Sequence, residues 1–127
     1  MKEWTFRVFV NDDGFSDVRE WIRTMPAKAR ARMDKILFHL EITKDWTQTS
    51  WFAPLKGYRG ICEIKFTVDD TQYRPLGCYG PGKAFTLLKG AIEQGDEFNP
   101  RGAPEIALER RELVLAPDGT RYTYEYH

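Results

Sequence analysis

The chain has 127 residues, of which 42% are hydrophobic, and its 19 basic side chains balance 19 acidic ones. These values are typical of one folded domain and exclude an intrinsically disordered chain. The zero net charge requires any nucleic-acid surface to be local, because phosphate binding usually draws on a surplus of basic residues. No apolar run reaches the ~20 residues of a membrane span, and the N-terminus lacks a signal-peptide core, so we expect a cytoplasmic protein without membrane contact.

The N-terminal part of the sequence predicts one strand and two helices. Residues 4–10 alternate and end in a turn cluster, which indicates a first strand. Ser16 is the expected N-cap of a short helix with apolar residues at helical spacing. Pro26 suits the first turn of a second helix. The apolar stripe of that helix is Ala29, Met33, Ile36, Leu37 and Leu40.

The rest of the sequence predicts mainly strands. Residues 60–89 alternate as three consecutive antiparallel strands, and a third helix, a turn and an edge strand over residues 121–127 follow. The expected fold is α+β: an N-terminal strand and two helices, then an antiparallel sheet, a C-terminal helix and a terminal edge strand. We assign residues 1–127 to a single domain, with a C-terminal hairpin extension over residues 112–127.

Register counting across these strands predicts a row of three cations, Lys65, Arg74 and Lys89, on one sheet face. A two-residue turn at Asp69 and Asp70 places Lys65 opposite Arg74. A four-residue loop over residues 80–83 then places Arg74 opposite Lys89. Like charges directly opposite destabilise a sheet. The row therefore predicts a site for an anion such as phosphate, which would compensate the repulsion.

Two features leave this interpretation open. A loop of another length would move Lys89 to the other face, since a one-residue slip reverses every side chain. Glu63 is the one carboxylate that the register places on the same face, and it would neutralise Lys65. The row is thus either a ligand site or a locally compensated surface.

Other motifs in the chain do not match a known type of binding or catalytic site. Residues 77–83 match part of a phosphate-binding loop, but Ala84 replaces the required Ser or Thr and a strand follows, so we expect a hairpin turn. Cys62 and Cys78 lack paired spacing with the two histidines, so we expect no metal site and no cofactor. Both cysteines are expected to be small apolar strand residues.

Four segments together resemble the HigB-like branch of the RelE/ParE toxin superfamily, including its phage-derived members. They are GICEIKF (60–66), QYRPLGCY (72–79), FTLLKGAIEQ (85–94) and PRGAPEIALERR (100–111). The resemblance covers roughly residues 54–111, and the β-α-α-β-β-β order extends it to the N-terminus. It rests on the order and spacing of the segments, because no single one is diagnostic.

The resemblance implies the toxin of a type II toxin–antitoxin module, with an antitoxin protein as its partner. Many such toxins are mRNA interferases that cut mRNA on the ribosome, through attack by a ribose 2′-hydroxyl and without a metal. It implies Lys65, Arg74 and Lys89 as the catalytic residues, with Arg74 as the phosphate clamp. The further candidate RNA-binding residues are Lys56, Arg59, Tyr79 and Lys83.

Two departures from the family pattern keep other functions open. Glu93 and Gln94 stand where many members carry a basic pair, and the chain is neutral where most RNA-cleaving members are basic. The alternative is a non-catalytic binding protein on the same fold, either a gyrase-directed toxin or a phage protein that engages a host protein. A structural component of a phage particle is a third possibility.

Overall fold

The computed structural model describes residues 2–127, which form an α+β structure with three helices and two sheets. Two short 3-10 helices, Trp46–Gln48 and Gly119–Tyr122, interrupt the connections. The helices and strands are β1 (Thr5–Phe9), α1 (Asp17–Thr24), α2 (Ala27–Glu41), β2 (Phe52–Pro54), β3 (Cys62–Ile64), β4 (Phe66–Val68), β5 (Thr71–Tyr73), β6 (Leu76–Gly80), β7 (Ala84–Lys89), β8 (Ile92–Gln94), β9 (Glu97–Asn99), α3 (Ala103–Leu115) and β10 (Thr123–Glu125).

The larger sheet has six strands in the order β10-β1-β7-β6-β3-β2, and the smaller has four in the order β4-β5-β8-β9. The N-terminal strand β1 is parallel to β7 and antiparallel to β10. The remaining neighbours in both sheets are antiparallel. The larger sheet is therefore mixed rather than purely antiparallel.

Two apolar clusters cover opposite faces of the larger sheet. The first core joins α1 and α2 to residues such as Phe6 and Phe85, and it reaches Phe66 and Tyr73 of the smaller sheet. The second core packs α3 against Leu76 and its neighbours on the other face. Alternation along β6 and β7 sends successive side chains to the two cores. No helix among residues 2–127 is long and apolar enough to span a membrane.

The predicted N-terminal strand and two helices form, although Pro26 is the N-cap of α2 rather than a residue of its first turn. The first strand forms, and the Ser16 side chain accepts a hydrogen bond from the backbone N–H of Arg19 at the start of α1. The predicted stripe of α2 is buried, and each of its five residues has a solvent exposure of 0%. These features depend on contacts within one helix or one strand, which the sequence pattern reports directly.

The three predicted strands of residues 60–89 are instead five strands, β3 to β7, divided between two sheets. The division lies at Lys65, whose N–H donates to the Trp51 carbonyl at 2.8 Å, and at Arg74, whose N–H donates to the Ala91 carbonyl at 2.8 Å. Pro75 adds to the break because it has no N–H to give to a ladder. The first two predicted strands thus each pass from one sheet to the other, whereas the third is β7 and stays in the larger sheet.

The C-terminal extension is not a hairpin. The first residues of the predicted extension, 112–115, complete α3, and β10 pairs with β1 rather than with a preceding strand. The prediction of a terminal edge strand is confirmed. The sequence pattern missed β2, and it missed the pairing of β8 with β9 across the turn at Gly95 and Asp96.

Candidate functional site at the junction of the two sheets

The first half of the predicted register is correct. The turn at Asp69 and Asp70 pairs Val68 with Thr71 and Phe66 with Tyr73. Both turn residues have positive φ, as a two-residue hairpin loop requires. The Ile64 N–H then donates to the Pro75 carbonyl at 3.0 Å. Lys65 and Arg74 therefore lie between two cross-strand contacts, beside each other at the junction of the sheets.

The second half of the register is wrong. Tyr79 pairs with Phe85, so the loop before β7 has three residues rather than four, and a bulge separates Leu76 from Gly77. As a result Lys89 lies opposite Leu76, not opposite Arg74. The predicted row of three adjacent cations does not form.

Carboxylates surround Arg74 instead. Its Nε lies 3.2 Å from Glu93 Oε1 and 3.5 Å from Glu63 Oε1. Its Nη2 donates to Gln72 Oε1 at 2.7 Å and its Nη1 to the Tyr73 carbonyl at 2.9 Å. The side chain is only 11% exposed. We call Arg74, Glu63, Glu93 and Gln72 the Arg74 cluster, in which the guanidinium is held in one orientation and compensated in charge.

Lys89 belongs to a second group of charges. Its Nζ lies 3.2 Å from Asp17 Oδ2, at the start of α1. Arg110 of α3 binds the same carboxylate through both terminal nitrogens, at 2.7 and 2.9 Å, and also donates to the Leu88 carbonyl. This Asp17 cluster fastens α1, β7 and α3 together. The position of Lys89 is thus explained by an ion pair that joins elements of the fold, without an anionic ligand.

The pKa values of Glu63 in the Arg74 cluster and of Asp17 in the second cluster are shifted in opposite directions. Burial raises the pKa of Glu63, helped by the nearby Glu93 charge, although Arg74 and Lys65 oppose the shift. Burial also disfavours ionised Asp17, but hydrogen bonds and charges from Arg110 and Lys89 outweigh it, so the pKa of Asp17 is lowered. The pKa of Glu63 is thus shifted towards neutral pH beside a fixed guanidinium, which is the direction that favours general acid–base chemistry.

The other candidate residues are dispersed. Lys56 and Arg59 are exposed in the loop between β2 and β3. Lys83 lies 3.2 Å from Glu3 and above the Trp4 ring.

Tyr79 packs among the aromatic rings of the first core, with ring centroids 5.1 Å from Trp4 and 5.2 Å from Phe85. Glu63 pairs with Leu76, which belongs to the second core, so Glu63 lies on that face of the sheet, opposite the first core. Tyr79 is 38% exposed and does not lie on the face of the Arg74 cluster.

Sequence reasoning identified Lys65 and Arg74 but missed most of their surroundings. The register places Glu63 on the correct face, whereas Glu93 stands out in the sequence only as a departure from a family pattern. Asp17 and Arg110 come from helices 93 residues apart, and no spacing rule connects them. An acidic residue directly after a helix N-cap was the one available signal for Asp17.

Both cysteines are expected to resist thiol reagents in the folded protein. Burial raises the pKa of Cys62 to about 11 and that of Cys78 to about 12, so the reactive thiolate is scarce at neutral pH. A chromogenic disulfide reagent at pH 7.5 should titrate neither thiol until denaturant is added, and then both. Rapid reaction of one thiol in the native protein would contradict the buried position.

The turn at residues 81–83 leads into the strand β7, so the expected hairpin replaces a phosphate-binding loop. Within residues 2–127 no group of three His, Cys, Asp or Glu side chains is placed to hold a metal ion.

No protein-family model matches the chain, and neither a curated protein nor a solved structure matches it significantly.

Proposed function

We propose that this chain is the toxin of a type II toxin–antitoxin system and acts as a ribosome-dependent mRNA endonuclease of the RelE/HigB type. One observation carries the proposal: the carboxyl group of Glu63, whose pKa is raised, has its Oε1 3.5 Å from Nε of the nearly buried Arg74. The charge of Lys65 also acts on this carboxyl group. A proton acceptor, a phosphate clamp and a proton donor are the three groups that metal-free RNA cleavage needs. Two of the four family-like segments, residues 60–66 and 72–79, contribute all three residues.

The proposed step transfers two protons and exchanges one P–O bond for another. Ionised Glu63 accepts the proton of a ribose 2′-hydroxyl while that oxygen attacks the adjacent phosphorus. Arg74 stabilises the negative charge that develops on the phosphate oxygens. The Lys65 ammonium gives a proton to the departing 5′-oxygen. The products are a 2′,3′-cyclic phosphate and a 5′-hydroxyl.

Glu93 has a defined role in this proposal. Its Oε1 accepts a hydrogen bond from Arg74 Nε at 3.2 Å in the free protein, and its side chain is 32% exposed. An incoming phosphate would replace Glu93 as the counter-ion of Arg74, so the guanidinium is held ready between turnovers. An antitoxin would block the same cluster or pair with a free sheet edge.

Inducible expression in a bacterial host tests the proposal. Expression should arrest growth and produce cleaved transcripts, and the double variant Lys65→Gln/Arg74→Gln should relieve both effects. Lys89 is kept, because removing it would disturb the Asp17 cluster. The control variant Lys28→Gln loses an exposed cation paired with Asp69 at 2.9 Å and should stay toxic. Arrest that persists in a folded double variant would overturn the proposal.

A second candidate is a non-catalytic binding protein on the same fold, such as a gyrase-directed toxin. The observation in its favour is that two carboxylates already occupy Arg74, one of them the Glu93 that replaces a basic residue of the family pattern. This function predicts growth arrest or host-protein binding with intact transcripts, and insensitivity to the Lys65→Gln/Arg74→Gln change. Transcript mapping during arrest therefore separates the two candidates.

A further inference from the structure

We propose that a cavity beside the C-terminal strand binds a small organic molecule through its phosphate or carboxylate group, with Arg7 as the anion-binding residue. The cavity has a volume of about 370 Å³ and lies between the larger sheet, the end of α3 and the segment that follows it. This volume is within the range of small-ligand pockets. The site contains no residue of the Arg74 cluster and does not depend on the function proposed above.

The floor of the cavity is formed by one face of three neighbouring strands. Arg7 of β1 lies beside Thr86 of β7 and Glu125 of β10 in the sheet register. Thr5 and Thr123 extend the same floor. Thr86 is only 2% exposed although it is polar, and it lines the cavity. Threonine side chains thus line the floor beside the guanidinium.

The roof is fixed by the way the chain leaves α3. The helix ends at Leu115, and the Gly119 N–H donates to the Ala116 carbonyl at 2.8 Å in a tight reversal. A Cβ at position 119 would collide with the Val114 carbonyl, so only glycine fits there. Val114, Gly119 and Thr120 consequently cover the cavity, and the turn around Gly82 closes its side.

The free hydrogen-bonding capacity of Arg7 defines the ligand. Its Nε donates to Thr123 Oγ1 at 2.8 Å and its Nη2 to the Thr123 carbonyl at 3.3 Å. These bonds fix the plane of the guanidinium, and since no group among residues 2–127 accepts from Nη1, its N–H groups are left for a ligand. A fixed guanidinium with adjacent hydroxyls suits an oxyanion. Ala84 and Val114 offer apolar surface for the rest of a small molecule.

Amide NMR titration of the full chain tests the site. The probes are adenosine 5′-monophosphate and benzoate, each compared with its neutral counterpart, adenosine or benzamide. We expect at least one anion to shift the amide signals of Thr5, Gly82 and Thr86, and to bind about tenfold or more tightly than its neutral counterpart. Arg7→Gln should weaken binding by about tenfold or more, whereas Glu125→Gln should strengthen it by removing a like charge.

Two further variants keep the result interpretable. Arg101→Gln removes an arginine that is 82% exposed and should leave binding unchanged. If Arg7→Gln fails to fold, Thr86→Val removes a single hydroxyl from the floor at nearly constant volume and should weaken binding severalfold. The proposal is wrong if neither anion binds at millimolar concentration, if binding survives the folded Arg7→Gln or Thr86→Val change, or if the shifted signals cluster around Arg74.

Discussion

Glu63→Gln should lower the rate of RNA cleavage by about 10²–10⁴-fold, the usual contribution of a general base. Glutamine keeps the size of the side chain and an oxygen for Arg74, but it cannot accept the 2′-hydroxyl proton. The measurement is single-turnover cleavage of ribosome-bound mRNA by purified protein. Glu97→Gln, which removes an exposed carboxylate paired with Arg101 at 3.2 Å, is the matched control and should retain the full rate.

The pH dependence gives this prediction a second, independent readout. Because the pKa of Glu63 is raised, the wild-type rate should climb with pH until that pKa is passed and then level off. The rising limb should vanish in the glutamine variant. An unchanged rate, or a limb that survives the substitution, would remove Glu63 from the mechanism.

The raised pKa of Glu63 also means that ionising this carboxyl group destabilises the folded protein, whereas most carboxyl groups stabilise it when they ionise. A raised folded-state pKa means that the contribution of neutral Glu63 is fully present below its unfolded pKa and is lost as pH rises through the folded value. Glu63→Gln should therefore fold as stably as the wild type or more stably at pH 7. This expectation also guards against attributing lost cleavage to lost folding.

Asp17→Asn is expected to destabilise the protein by about 2 kcal/mol at pH 7, because it leaves Lys89 and Arg110 without their shared counter-charge. The value is set below that of a fully buried pair, since the Asp17 side chain is 34% exposed and partly screened. Urea unfolding monitored by circular dichroism measures the change. Asp12→Asn, at an exposed pair with Arg121, should shift stability by less than about 0.5 kcal/mol.

Acid should reduce the difference between wild type and Asp17→Asn. The pKa of Asp17 is lowered in the folded state, so its contribution is present above its ordinary value of 3.8 and is lost as pH falls through the folded value. The two proteins should therefore differ most near neutrality and converge towards pH 2. A constant difference between pH 7 and pH 2 would show that shape, rather than charge, explains the effect.

The sequence predicts this fold well where the determinants are local. The cap at Ser16, the stripe of α2 and the turn at Asp69 and Asp70 each depend on residues within one or two turns of chain. The division into two sheets depends instead on Lys65 and Arg74 finding partners at Trp51 and Ala91. Alternation runs straight through both positions, so the period-2 pattern carries no sign of the change of sheet.

The candidate site follows the same distinction. A two-residue turn fixes the positions of Lys65 and Arg74, and the sequence shows that turn. The position of Lys89 depends on a loop one residue shorter than expected and on a bulge, neither of which has a unique sequence signature. The Asp17 cluster could not be foreseen, because packing of α3 against the sheet brings Arg110 to a residue near the other end of the chain.

The place of β1 between β7 and β10 determines when the larger sheet can be completed. The first strand of the chain has no hydrogen-bonded strand neighbour until residues 84–87 and then residues 123–125 have been made. Pairings of such large sequence separation close slowly, since chain entropy is lost before the contacts form. The apolar residues Phe6 and Val8 of β1 therefore remain without strand partners while the later residues are made. The larger sheet can therefore be completed only after residues 123–125 have been made, and β1 is among the last of its strands to gain its neighbours.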